Sequence, residues 1–297
     1  PPQPPCAPVL AARRWERMAA AALQRGDSLK TQQSQVSDVI VGHRRVLRDP
    51  LLREMLLAEF VGTFFLVLAV GLGVVGGGAL AAVAIGLVLG VQIYTFGAVS
   101  GGLFNPAVTL AVLLCGRGKI TPRNAGLYAV VQSLAGIVAG CCAFAATGSS
   151  FCFDYNLTKG WGTSLELEVL FTSALCSAVL ATGTSNDAPN HYFGFAIGMT
   201  VTAGALASGG FDQGSFNPAV TLGINLANYA NGKAMHNPCV GSWFLFLLAP
   251  LLGGVLAAGI FRGTRFNEFA AFRRPPSRMQ SSNSMQQEAP HCDEFPL

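Results

Sequence analysis

The tripeptide Asn105-Pro106-Ala107 returns 112 positions later as Asn217-Pro218-Ala219. It sits inside a nine-residue stretch, 102–110 against 214–222, in which eight residues agree. Asparagine is a strong helix N-cap, because its side-chain oxygen accepts a first-turn N–H. Proline fits the next position, where no N–H is needed and φ is already suitable. Each copy therefore starts a helix abruptly. A helix N-terminus carries roughly half a positive charge, and a capping asparagine keeps its amide NH₂ as a donor. Alone, such a motif is an ordinary helix start. Two copies entering from opposite sides bring two positive ends and two carboxamides to one point. That point favours neutral polar solutes and disfavours cations and protons.

The elements that must position these residues are apolar. Six stretches, 51–75, 79–100, 124–147, 164–184, 191–210 and 240–262, are long enough to cross a bilayer at 1.5 Å per residue. The two motif runs, 105–115 and 217–227, reach only about halfway. The expected fold is an all-α membrane protein of six transmembrane helices and two re-entrant half-helices. Three spans plus a half-helix form one unit, and three is odd. Residues 51–147 and 164–262 are then an inverted repeat, which makes 51–262 one channel-like domain. The flanks, 1–50 and 263–297, read as flexible cytoplasmic tails. With Pro1 leading the chain, an upstream piece is expected.

Composition agrees. The chain is 51% hydrophobic and 11% charged, with 35 glycines, too few charges to cover a soluble domain of 297 residues. Of its 19 Lys and Arg residues, only Lys159 and Lys233 fall in loops on the far side; the other 17 share a side with the tails. That bias puts both termini in the cytoplasm. The basic residues orient the protein, and nothing points to nucleic acid. The lipid bilayer is the first partner. The eight cysteines show no CxxC pair and no metal-ligand spacing. No metal, no cofactor and no catalytic residue is expected, so the chain is not read as an enzyme. Cys152 and Cys239 share the far side, where a disulfide is an option. Asn156-Leu157-Thr158 is a glycosylation sequon on the same side. Arg273-Arg274-Pro275-Pro276-Ser277 reads as a basic juxtamembrane tail.

The irregular backbone before each cap needs a wet partner. Gly101, Gly102, Leu103 and Phe104, with Gln213, Gly214, Ser215 and Phe216, are expected to present a ladder of carbonyls. Glu59 and Glu168 are the carboxylates expected deep inside the spans. A buried acid is costly unless compensated, so each is assigned to brace one re-entrant loop by accepting backbone N–H groups. Gly86 with Gly90, and Gly194 with Gly198, are small-residue pairs that let two spans cross closely.

With the paired Asn-Pro-Ala boxes, the segment Ala58-Glu59-Phe60-Val61-Gly62-Thr63, Gln132, Gly136 and Pro250-Leu251-Leu252-Gly253, residues 51–262 resemble the aquaporin or major intrinsic protein family. The resemblance implies a right-handed helical bundle, a passive channel with one pore per subunit, and a homotetramer. It also locates a selectivity filter by spacing from the boxes: Ile85, Ala205, Gly214 and Val220. Most members carry arginine where this chain has Val220. Such a filter has no charge, no side-chain donor and no ring. It implies passage of water or larger neutral solutes such as glycerol, urea, ammonia or hydrogen peroxide, with a weakened proton barrier. The competing readings are a secondary transporter, which also uses inverted repeats, and a membrane-organising protein with a closed pore.

Overall fold

A computed structural model describes residues 50–270, except 79, 156, 157, 187, 189, 190, 233 and 235. The Asn156 sequon, the 273–277 motif and residues 1–49 and 271–297 lie outside the described residues, while residues 263–270, expected as flexible tail, are largely helical. Within them the regular structure is helical: α1 Leu52–Val75, α2 Ala81–Ser100, α3 Pro106–Leu114, α4 Pro122–Thr147, α5 Trp161–Thr184, α6 Phe193–Ser208, α7 Pro218–Ala230, α8 Val240–Thr264 and a short α9 Phe266–Ala270.

The boundaries follow local chemistry. Thr121 caps α4 ahead of Pro122, and Gly148, at φ 66°, ends it. Cys239 caps α8 through its sulfur, which accepts the Ser242 N–H at 3.4 Å. The five helices α1, α2, α4, α5 and α8 are long and apolar enough to span a membrane. The sixth, α6, has 16 residues, about 24 Å, and is shorter than the expected 191–210. His191 and Tyr192 form a turn before it. At its other end the Phe211 and Asp212 N–H groups fold back onto the Ser208 carbonyl at 2.7 and 2.8 Å, so the chain leaves the helix early. The second half-helix is longer than expected, running to Ala230.

Glycines set the helix crossings. A Cβ on Gly86 would lie 2.4 Å from the Gly198 carbonyl oxygen, and one on Gly198 would lie 2.2 Å from that of Gly86. Helices α2 and α6 thus touch backbone to backbone, as the small-residue pattern implies. The half-helices are held the same way, but crosswise. Gly136 of α4 meets the Ala219 carbonyl of α7, and Gly254 of α8 meets the Ala107 carbonyl of α3. Each half-helix begins against the third long helix of the other repeat.

One face of the bundle carries the 115–121 loop, Ser185, Asn186, His191 and Tyr192 together with α9. Arg117 pairs with Glu268, and Glu268 also accepts the Asn186 N–H at 3.0 Å. The opposite face carries residues 148–155 and 236–239 and the start of the second re-entrant loop. There the Asp154 N–H donates to Gln213 Oε1 at 2.7 Å, and Asn228 Nδ2 donates to the His236 carbonyl at 2.9 Å.

Candidate functional site

The two caps form as their residue types require. Asn105 and Asn217 are extended, and their side-chain oxygens accept the Ala107 and Ala219 N–H groups at 2.8 and 2.9 Å. The residue before each cap is unusual. Phe104 (φ 49°) and Phe216 (φ 52°) are the non-glycine residues with positive φ among the described residues. Bulky side chains avoid that region, at a cost of about 1–3 kcal/mol each. What holds them is the acid below. Glu59 accepts the Leu103 and Phe104 N–H groups at 3.0 and 2.7 Å. Glu168 accepts those of Ser215 and Phe216 at 2.5 and 2.9 Å. Both glutamates are fully buried.

The left-handed turn aims each phenylalanine carbonyl at the other loop. Asn105 Nδ2 donates to the Phe216 oxygen at 2.8 Å, and Asn217 Nδ2 donates to the Phe104 oxygen at 3.0 Å. This corrects two sequence-based expectations. The amide groups are not wholly free, since one N–H of each closes a cross-brace and one remains. The Phe104 and Phe216 carbonyls are likewise not wholly open, because each already accepts one asparagine N–H and keeps one lone pair.

Between the loops lies a cavity of about 190 Å³. Its wall includes Asn105, Asn217, Gly102, Leu103, Gln213, Gly214, Ser215 and Phe216. Gly101 and Phe104 are not part of that wall. Gly101 instead ends α2 in a left-handed turn, its N–H on the Gly97 carbonyl at 3.0 Å. Ile85, Ala205, Gly214 and Val220 all line the cavity. So do aliphatic side chains of α1, α2 and α5 such as Val70, Leu89 and Val179.

The four filter positions carry no ring, but sequence reasoning misses one elsewhere in the wall. Phe153, from the loop joining the two repeats, lines the cavity and is 2% exposed. Its backbone N–H is fixed by Asn225 Oδ1 at 2.7 Å, and its ring packs 5.7 Å from that of Phe246. A loop residue that enters a cavity leaves no periodic trace in sequence. A second residue missed there is Asp212, a third buried carboxylate, 5% exposed, beside Glu168. The 112-residue offset was its signal, because it sets Asp212 opposite Ser100.

Other expected features resolve plainly. Cys152 and Cys239 are both free thiols, so no disulfide joins them. Cys152 sits beneath the His236 carbonyl at 3.8 Å, and Cys239 beside Asp154 at 3.9 Å. Burial, with Asp154 adding, pushes the Cys152 thiol up to about 11. The Ser242 hydroxyl beside Cys239 holds its thiol below the usual range. Among the described histidines, His191 gives its carbonyl to the Tyr94 hydroxyl at 3.1 Å, and His236 is an exposed neighbour of Asp154; neither lines the cavity. No group of three or more His, Cys, Asp or Glu with metal-binding geometry occurs among the described residues.

Comparison with known proteins agrees with this architecture. The family profile described as "Major intrinsic protein" matches residues 47–261. The chain is 36% identical over 217 residues to "Glycerol uptake facilitator protein-like 6" of Lactiplantibacillus plantarum, covering 68% of this chain and 94% of that one. It is 32% identical over 250 residues to Nodulin-26 of Glycine max, covering 78% and 85%. Among solved structures it superposes on the aquaglyceroporin from Plasmodium falciparum with a TM-score of 0.64 at 19% identity, over 75% of this chain and all of that one, a likeness of fold. This is an integral, multi-pass membrane protein, and the chain belongs to the major intrinsic protein family.

Proposed function

We propose that this protein is a passive transmembrane channel for water and small neutral solutes. The observation that carries the reading is the single cavity walled by both capping asparagines and by residues of six helices and both re-entrant loops. The two half-helix N-termini converge on it, and their dipoles repel a cation there. Each asparagine has one N–H left for a passing oxygen. A water or hydroxyl held by both turns its own hydrogens outward, which interrupts proton hopping. Elsewhere the wall is mostly apolar and carries no charged side chain, which suits solutes that need little hydration.

Ile85, Ala205, Gly214 and Val220 act as the narrow filter in this reading. Without a guanidinium, the filter relies on shape and loses a strong donor. Glycerol, urea, ammonia and hydrogen peroxide are therefore candidate solutes beside water, and of these the name of one relative, a glycerol uptake facilitator-like protein, supports glycerol. The subunit works as a homotetramer with one pore each, and both termini face the cytoplasm, as the Lys and Arg distribution favours. The test is stopped-flow light scattering of proteoliposomes against water, glycerol, urea and ammonia. Non-saturating flux of water with at least one solute is expected. Saturable, gradient-coupled uptake would move the function to a transporter, and absent flux to a closed organiser. Val220→Arg is expected to lower solute flux and any proton leak read by an internal pH dye.

A further inference from the structure

The re-entrant loops of the two repeats match at their caps, their left-handed phenylalanines and their cross-brace. They differ in the side chains that support the buried glutamate. Ser100 lies five residues before Asn105. Its hydroxyl oxygen accepts the Gly102 N–H at 3.1 Å, and its hydrogen goes to Glu59 Oε1 at 2.6 Å. Five residues before Asn217 stands Asp212. Its Oδ2 accepts the Gly214 N–H, also at 3.1 Å. The acceptor half of the serine's role is thus reproduced. The donor half needs a hydrogen that an ionised carboxylate does not have.

The surroundings show the same deficit. Asp212 Oδ1 is buried without a hydrogen-bond partner, next to the Glu168 carboxylate. The fully buried Ser164 hydroxyl and the Gln213 N–H are donors beside Asp212, though neither makes a hydrogen bond in strict geometry, and the buried Ser208 hydroxyl, without a partner, neighbours Gly214. Glu59 receives four donors: Ser100 Oγ, the Leu103 and Phe104 N–H groups, and Gln132 Nε2 at 2.8 Å. Glu168 receives the two N–H groups alone. The α8 residue equivalent to Gln132, set by matching Gly254 to Gly136, is Pro250, which offers no donor. Among the described residues, neither Glu168 nor Asp212 is in an ion pair with Lys, Arg or His. Lys159 stands over the Phe211 ring at 5.7 Å. Asp154 reaches this loop through its backbone N–H to Gln213, and His236 faces Asp154. Glu166 of α5 is exposed, and α6 carries no charged residue. Two carboxylates so close and so buried do not both ionise.

We propose that Glu168 and Asp212 bind one proton between them, which stands in for the Ser100 hydroxyl hydrogen and holds Gly214 in the cavity wall. The pair titrates as a unit. When the proton leaves, Glu168 stays pinned by Ser215 and Phe216, so Asp212 is the group displaced. Gly214 loses its acceptor, and the wall loosens at one of the filter positions. The consequence for flux rests on the channel reading above; the bound proton does not.

Infrared difference spectroscopy on the full chain in lipid tests the proton directly. The expected result at neutral pH is a protonated-carboxyl stretch that shifts in D₂O, survives Asp154→Asn and disappears in both Asp212→Asn and Glu168→Gln. Asparagine at 212 supplies a hydrogen to Glu168 and keeps an oxygen for Gly214, so that variant is expected to fold. No such band in the wild type, or a band that persists in Asp212→Asn, overturns the proposal. In proteoliposomes the wild type is expected to show a step in permeability as pH rises, and Asp212→Ser, which copies repeat one, a flat profile. An identical step in Asp212→Ser also overturns it. Absent flux in every variant counts against the channel reading alone, since the band is read without transport.

Discussion

Repeat one and repeat two solve one problem with different numbers of donors. Both must hold a phenylalanine in a left-handed turn inside a bilayer, and both place a buried glutamate under it. In repeat one the glutamate is fully supplied, by two backbone N–H groups, a serine hydroxyl and a glutamine amide. In repeat two the backbone pair remains, while the serine has become Asp212 and the glutamine Pro250. The backbone geometry is conserved between the halves although half of its support has changed. The backbone N–H pair is therefore the indispensable part, and the side-chain donors are interchangeable so long as the acid is compensated.

The largest effect is expected from removing that acid's charge. Glu59→Gln leaves four donors facing one acceptor and an NH₂. At about 1–3 kcal/mol for each orphaned buried donor, the loss should be about 3 kcal/mol or more. Glu168→Gln orphans one N–H and gives Asp212 a donor, so it should cost about half as much. Thermal unfolding of both in detergent gives the ratio, and equal losses would break the comparison. Next come the crosswise glycines. Gly136→Ala puts a methyl 2.2 Å from the Ala219 oxygen, and Gly254→Ala one 2.6 Å from that of Ala107. Neither neighbour is a side chain that can turn away. Overpacking of this kind costs about 1–3 kcal/mol, with Gly136→Ala the worse. The reverse order in the same assay would show that α3 sits more rigidly than α7.

A smaller effect sharpens the asymmetry of the cavity. Phe153 comes from the joining loop and so has no partner across the pseudo-symmetry. Phe153→Ala should raise glycerol permeability relative to water while leaving the caps intact. An unchanged ratio in stopped flow would remove Phe153 from the narrow region. The smallest effect concerns the face with α9. A hydrogen bond from Arg265 foremost, then the Asn186 N–H and Arg117, holds the Glu268 carboxyl below its usual range. Its folded value lies below the unfolded one, so the stabilisation is complete above the unfolded value and is lost as pH falls through the folded value. Protection from deuterium exchange over Phe266–Ala270, taken against the intrinsic exchange rate at each pH, should fall in acid, and in Glu268→Gln it should be low at all pH values. Protection independent of pH would show that this latch is held by the Arg117 guanidinium on Phe269, 4.3 Å away.

Much of the architecture is legible because it is repeated. Eight identities in nine residues locate both half-helices, and the Asn-Pro pair fixes their first residues, which the structure places at Pro106 and Pro218. The loop-bracing glutamates are legible because an acid in an apolar span demands donors. The cross-brace is not, because it depends on the sign of φ at two phenylalanines, a region that residue type argues against. Asp212 hides in a polar loop, where an acid looks solvated until the loop turns inward. Phe153 hides for the opposite reason, since a single aromatic in a loop has no period. The short α6 reflects a tertiary choice, in which the chain folds back on Ser208 to begin its descent.

The cross-brace also bears on how the chain is made. Asn105 emerges from the ribosome long before its partner carbonyl at Phe216, and Gly254, which seats Ala107, emerges later still. Until those partners exist, the strained turn of the first half-helix has only Glu59 and Ser100 of its own repeat to hold it. Neither half has its full set of partners alone, so a truncated first repeat should be less stable than the same segment in the whole chain.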